Sequence, residues 1–250
     1  MNIKKLIPRT MKVRLKLIQL ILGDLLSFRL FKFVQIDETR IHTGETYEER
    51  IRITQPINKS KWAAPKIHNI NLAVSVFQNL IIKPGEIFSF WRFVHEPSEK
   101  NGYQKGINII NDKLDFDTGG GLCQLSGLLY HLAITAGLDI VQRYPHSVDL
   151  YTDQTRYTPL GADATVVFGY KDLRIKNNLS FPVCFRIFIQ GYSILGTVCA
   201  PQEMEEFQII FDREDFADKK RVRTIRQTQN GMKEILAESV YLTSSHNETI

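Results

Sequence analysis

The stretch Thr118-Gly119-Gly120-Gly121-Leu122-Cys123-Gln124-Leu125-Ser126 runs three glycines straight into a cysteine, and that cysteine opens a segment with helical spacing. Glycine triplets fit poorly inside helices and strands but reach backbone conformations closed to other residues. The triplet therefore reads as a tight loop feeding a helix. From Gln124 to Gly137, Leu125, Leu128, Leu129, Leu132, Ala133 and Ala136 make a wide apolar face, and Gly137 is placed to end the helix. A helix this apolar belongs in a core, with the neighbouring elements packed around it.

Upstream, Ile70, Leu72, Ala73, Val76, Phe77 and Leu80 also have helical spacing, stopped by Pro84-Gly85. Glu86 to Trp91 is aromatic and β-like, and Tyr103 to Ile110 reads as a strand or extended loop. Downstream, residues 140–143, 164–170, 173–176, 183–189 and 194–199 read as β. Arg221 to Gln227 and Met232 to Tyr241 flank Asn230-Gly231, a strong hairpin signal. Helices first and strands afterwards predict an α+β fold, with the glycine-fed central helix packed on a mostly antiparallel sheet. The domain is expected over 67–243, preceded by a basic amphipathic helix over 1–34 and a polar connector over 35–66, and followed by a frayed tail over 244–250.

The 250 residues are 43% hydrophobic and 24% charged, a globular balance with enough chain for a sizeable core. Three widely spaced cysteines argue against a disulfide framework and for a reducing compartment or free thiols. Residues 1–34 carry eight lysines and arginines against Asp24 alone, more than the net charge of +5 for the whole chain, so the body is slightly acidic. With no aromatic-and-basic strip in that body, nucleic acid is not an expected partner.

Within the basic segment, Lys12, Lys16, Gln19, Gly23 and Ser27 form a polar stripe on an otherwise apolar helix. No apolar run approaches the ~18 residues of a spanning helix, and no secretory signal stands out. The segment is suited either to an anionic membrane surface or to packing on its own domain. The expected location is cytoplasmic, with peripheral contact at the inner membrane face.

A helix N-terminus carries free N–H groups and partial positive charge, which stabilises a thiolate. Cys123 is so placed, and His146 follows 23 residues later, beyond the helix and a strand-like segment. A thiol and an imidazole are the parts of a cysteine-based acyl-transfer site. Cys123 is the candidate nucleophile and His146 the candidate base, with Asp163 to orient the imidazole and Asp149 as the alternative. Backbone N–H groups around Gly121 to Gln124 are candidates to hold an oxyanion. Gly119, Gly120, Gly121, Gln124, Ser126, Arg143 and Trp91 are the candidate substrate contacts. No metal or cofactor is called for: the cysteines and histidines show no CxxC or HxxxH pair, and the glycines lack the Lys-Ser/Thr of a Walker loop. The competing reading is a non-catalytic module that binds a peptide or cell-wall fragment, with Phe88, Phe90 and Trp91 as an aromatic platform, Arg143 as a carboxylate contact and Cys123 as a small core residue.

Several blocks together resemble the VanW family: Asn71-Leu72-Ala73, Ile82 to Trp91, Gly119 to Ser126, His146-Ser147, Gly161 to Val166 and Asp172 to Asn178. The resemblance covers roughly residues 60–200, with the glycine–cysteine block as its most specific part. It implies a bacterial cell-envelope context linked to glycopeptide (vancomycin-type) resistance, with a peptide or cell-wall fragment as the expected partner. It implies no particular reaction.

Overall fold

The computed structural model describes residues 8–35, 47–110 and 113–243. In chain order the elements are α1 (Arg9–Leu26), β1 (Glu48–Pro56), α2 (Ala63–Phe77), β2 (Ile81–Ile82), β3 (Ile87–Ser89), α3 (Phe90–Val94), β4 (Lys105–Ile110) and β5 (Lys113–Thr118). There follow α4 (Leu122–Thr135), β6 (Asp139–Gln142), β7 (Val148–Asp149), β8 (Arg174–Lys176), β9 (Val183–Gln190), β10 (Ser193–Ala200), β11 (Gln208–Asp215), β12 (Lys219–Gln227) and β13 (Lys233–Thr243). The fold is α+β. Its strands form sheets of order β1-β10-β9-β2, β11-β12-β13-β7 and β3-β8-β6 and the hairpin β4-β5, antiparallel except where β7 joins β13.

α4 is the hub. Twelve of its fourteen residues are buried, which matches a helix that is apolar nearly all round. It lies on β10 at Gly196, where a Cβ would come within 2.8 Å of Leu132 and 2.9 Å of Leu128, so only glycine lets helix and strand approach this closely. Phe77, Phe88 and Phe185 pack beside it in one continuous core.

Two segments depart from expectation. Residues 35–66, read as a connector, contain β1, which pairs with β10 along most of its length and closes one edge of the central sheet. Only Ile51 and Ile53 are apolar at its centre, and the flanking charges hid the strand. Residues 164–170, read as a strand, are irregular apart from one bridge between Val167 and Lys171. Their backbone is taken instead by α4 and by the loop after β6: Ser126 Oγ donates to Ala164 O at 2.6 Å, and Thr165 N–H donates to Tyr144 O at 2.7 Å. The 244–250 tail lies outside the described residues.

α1 is tied to the domain by a buried ion pair. Arg174 on β8 donates from both η nitrogens to the Asp24 carboxylate, at 2.6 and 2.9 Å, and from Nε to Asp172 at 3.0 Å. No helix among the described residues is long and apolar enough to cross a membrane.

Candidate active site

The glycine triplet seats the start of α4. Gly121 has φ +100°, and a Cβ there would come 2.7 Å from Lys66 Cγ and 3.2 Å from Ile70 Cγ1 on α2. Asn69, fully buried on α2, donates from Nδ2 to Gly120 O (3.0 Å) and Gln104 O (2.9 Å), and its Oδ1 accepts from Gln104 N–H (2.8 Å). The glycines therefore work as a packing seam that holds the helix N-terminus against α2. Leu122 N–H donates to Gly119 O, whereas the N–H groups of Cys123 and Gln124 find no acceptor among the described residues. Such first-turn donors are the ones a helix leaves open.

Cys123, His146 and Asp163 come together there from three parts of the chain. Cys123 is on the first turn of α4, His146 lies in the loop after β6, and Asp163 lies in a segment pressed against α4. That segment runs against Gly127 of α4, where a Cβ would meet Asp163 Cα at 3.5 Å and Ala162 O at 3.4 Å, an ordinary packing contact. His146 Nδ1 donates to Asp163 Oδ2 at 2.8 Å, and the His146 backbone N–H donates to the same oxygen at 2.7 Å. That leaves Nε2 as the ring nitrogen not engaged by Asp163, and the Cys123 thiol is near enough to the imidazole for each to shift the other's titration. Cys123 Sγ is also 3.8 Å from Val166 O. The cysteine is partly exposed, while His146 and Asp163 are buried.

The electrostatics fit this order. Burial opposes a charge on His146, but Asp163 and Cys123 outweigh it and push the imidazole up to about 10. Burial likewise opposes the Cys123 thiolate, and the bond and charge of His146 outweigh it and bring the thiol below its ordinary value. Asp163 is held well below the usual carboxylate range despite burial, by His146, Arg143 and Tyr241. The arrangement favours a thiolate–imidazolium pair backed by a permanent carboxylate.

Asp149, the alternative partner for His146, is instead committed to Arg156 through two 2.8 Å bonds and to Lys220 at 2.8 Å.

The residues expected to touch substrate have other positions. Arg143 is buried: Nε donates to Asp163 O (2.8 Å), Nη1 to Ser239 Oγ (2.6 Å), and Nη2 to Asp163 Oδ1 (3.1 Å), Gly161 O and Tyr241 Oη. Its guanidinium also stacks 4.9 Å over Tyr130. It supports Asp163 and offers nothing to a ligand's carboxylate. Gln124 accepts from Lys66 Nζ (3.1 Å) and donates to Pro56 O (2.9 Å), and Ser126 bonds Ala164 O and Cys123 O. Gly119 is closed off by Pro97, to which a Cβ would come within 2.8 Å. Trp91 donates to Lys171 O (2.8 Å) and lines a separate cavity of about 160 Å³ beneath α1. Phe88 and Phe90 are core residues, so they form no binding platform.

Three residues at the site carry no sequence motif. Tyr241 on β13 donates to Asp163 Oδ1 at 2.6 Å. Lys66 reaches across the start of α4; burial lowers its pKa, and the Cys123 charge acts the other way. Tyr151 is pushed up to about 12, by burial first and the Cys123 charge next, and stays neutral. Beside His146 and Asp163, under Tyr151 and Tyr157, is a cavity of about 30 Å³, room for a water or two and not for a peptide. An open groove of about 390 Å³ between Asp153, Tyr157, Phe211 and Arg213 adjoins it.

Comparison with known proteins adds a family. The model described as VanW like protein matches residues 65–199, which contain Cys123, His146 and Asp163. The Vancomycin B-type resistance protein VanW of Enterococcus faecalis is 34% identical over 138 residues, 55% of this chain and 50% of that protein. The protein named Uncharacterized protein YoaR of Bacillus subtilis is 37% identical over 131 residues, 52% of this chain and 42% of that one. The chain thus spans about half the length or less of these curated relatives. No solved structure matches it. Because the family match covers more than half of its length, the chain belongs to the VanW family.

Proposed function

We propose that the chain is a cysteine-dependent acyl-transfer enzyme acting on a peptide bond of the bacterial cell envelope. The observation that carries this reading is His146 Nδ1 held 2.8 Å from Asp163 Oδ2, with the Cys123 thiol near enough to the imidazole for each to shift the other's titration. That is the geometry a nucleophile, its base and an orienting carboxylate need.

The Cys123 thiolate attacks the carbonyl carbon of the peptide bond. The open N–H groups of Cys123 and Gln124 are suited to receive the developing oxyanion. As the tetrahedral adduct collapses, the C–N bond breaks, His146 Nε2–H gives its proton to the leaving amine, and a thioester remains on Cys123. Neutral His146 then takes a proton from a water, for hydrolysis, or from an amine, for transfer. That nucleophile attacks the thioester carbon, the C–S bond breaks and the thiolate–imidazolium pair is restored. Asp163 is a positioning residue throughout, as are Arg143 and Tyr241 behind it. The envelope context rests on family membership and on the vancomycin resistance named for the Enterococcus faecalis relative.

The test is to incubate wild-type protein and Cys123→Ala with purified peptidoglycan and follow both protein and wall by mass spectrometry. An acyl adduct on Cys123 together with cleaved or exchanged wall peptide in the wild type alone is the expected result. Equal wall products from both proteins, or a Cys123→Ala protein that binds wall fragments while neither protein alters them, rejects the reading in favour of a binding module.

A further inference from the structure

α1 is apolar on two opposite sides. Toward the domain it sets Val13 against Gly169 and lines the cavity above Trp91 and Phe168 with Leu17, Leu20 and Asp24. One α-helical face of spacing three and four, Met11, Leu15, Ile18, Leu22 and Leu25, lies on the far side, and every one of these residues is exposed. The apolar surface continues past the helix end, where Leu26, Phe28 and Phe31 are 81%, 71% and 73% exposed. Phe28 holds φ +54°, a left-handed conformation that costs a bulky residue roughly 1–2 kcal/mol. That strain goes with a ring presented to solvent. Burial does not explain this surface, because the orientation of α1 is fixed by the Asp24–Arg174 pair on its opposite side.

Among the described residues of the segment, the charge bordering the patch is positive. Lys12 and Lys16 border one edge of the face, Arg14 borders the other, and Arg29 and Lys32 follow beside Phe28 and Phe31. Asp24 is the acidic residue of the segment, and it is buried against Arg174. A contiguous apolar face of this extent marks an interaction surface. Among the described residues of this segment the apolar strip is rimmed by cations, which complements a phospholipid surface, with acyl chains to take the leucines and anionic headgroups to take the lysines and arginines. We propose that the outward face of α1 and the turn after it dock this protein onto an anionic phospholipid membrane. The inference is independent of the proposed chemistry at Cys123.

The experiment is co-sedimentation of the full chain with vesicles of phosphatidylcholine alone and of phosphatidylcholine with phosphatidylglycerol in equal parts. The comparison proteins are an Ile18→Gln/Leu22→Gln variant and a Lys12→Gln/Lys16→Gln variant. The wild type is expected to pellet with the anionic vesicles, weakly with the neutral ones, and less as salt is raised. The apolar-face variant should bind at least about tenfold more weakly, because two aliphatic side chains no longer leave water. The charge variant should lose the preference for anionic vesicles. Thermal melting of each variant checks the fold, and the salt dependence of the wild type stands even where a variant fails to fold. Failure of the wild type to bind, or equal binding to both vesicles, overturns the proposal. So does a dimer in sedimentation equilibrium that the apolar-face variant dissolves, since a second copy would then be the occupant.

Discussion

Replacing Asp163 by asparagine probes the site through its buried carboxylate. Asp163 accepts from the His146 backbone and ring, from Arg143 and from Tyr241, and both it and Arg143 are nearly inaccessible. The Asp163→Asn change keeps the shape, removes the charge and leaves the Arg143 guanidinium buried without its counter-ion. Breaking a buried pair from one side costs about 3–5 kcal/mol. At roughly 2–4 °C per kcal/mol for a domain of this size, the Tm at pH 7 should fall by about 6–20 °C. The pH dependence follows from the sign of the shift. The carboxyl is held below its ordinary value, so its contribution is complete above the unfolded value of about 3.9 and is lost as acid lowers the pH through the folded one. The gap between wild type and variant should therefore be wide at neutral pH and close as the pH drops below about 4. Circular-dichroism melts across that range measure both. A fall in Tm of less than about 2 °C at pH 7, or a gap that persists unchanged into acid, would refute the description of Asp163 as the charged anchor of the site.

Further outcomes follow from neighbouring residues. Lys66→Met takes a cation away from the Cys123 thiolate, so alkylation of Cys123 at pH 7 should slow by roughly three- to tenfold with the fold intact; an unchanged rate separates Lys66 from the chemistry. Arg174→Met strands Asp24 in a buried site, and hydrogen exchange of the α1 amides should rise far above that of α4. Exchange rising equally in both helices would mean that the pair supports the whole fold and does not specifically anchor α1. Gly121→Ala forces a Cβ into Lys66 and Ile70 at φ +100° and should cost at least about 1–3 kcal/mol in denaturant unfolding; a neutral result would show that the loop is not the packing seam described.

The helix behind the glycine triplet was legible because six apolar residues from Leu125 to Ala136 carry the signal locally. Cys123, His146 and Asp163 were legible as residue types in a suggestive order, and their meeting depends on packing that no local pattern encodes. Arg143 shows the limit. An arginine after a strand reads as a surface contact, and what buries this one is Ser239 and Tyr241, 96 and 98 residues away on β13. The same distance hid Tyr241, which looks like any strand tyrosine until the C-terminal sheet folds over Asp163. Residues 164–170 have β-forming side chains, yet α4 and the Tyr144 loop claim their backbone, and tertiary hydrogen bonds override propensity. Trp91 closes one of the blocks that carry the family resemblance and lies beneath α1, because a family motif can serve packing as readily as chemistry.

Activation of Cys123 by His146 is read out by the pH dependence of iodoacetamide labelling, resolved by mass spectrometry for each cysteine in the wild type and in His146→Ala. Cys123 is expected to label rapidly well below the free-thiol value of about 8.5, buried Cys184 and Cys199 to lag behind, and loss of His146 to move the Cys123 profile upward. A Cys123 that labels no faster than Cys184 or Cys199 and is indifferent to His146 would contradict that activation.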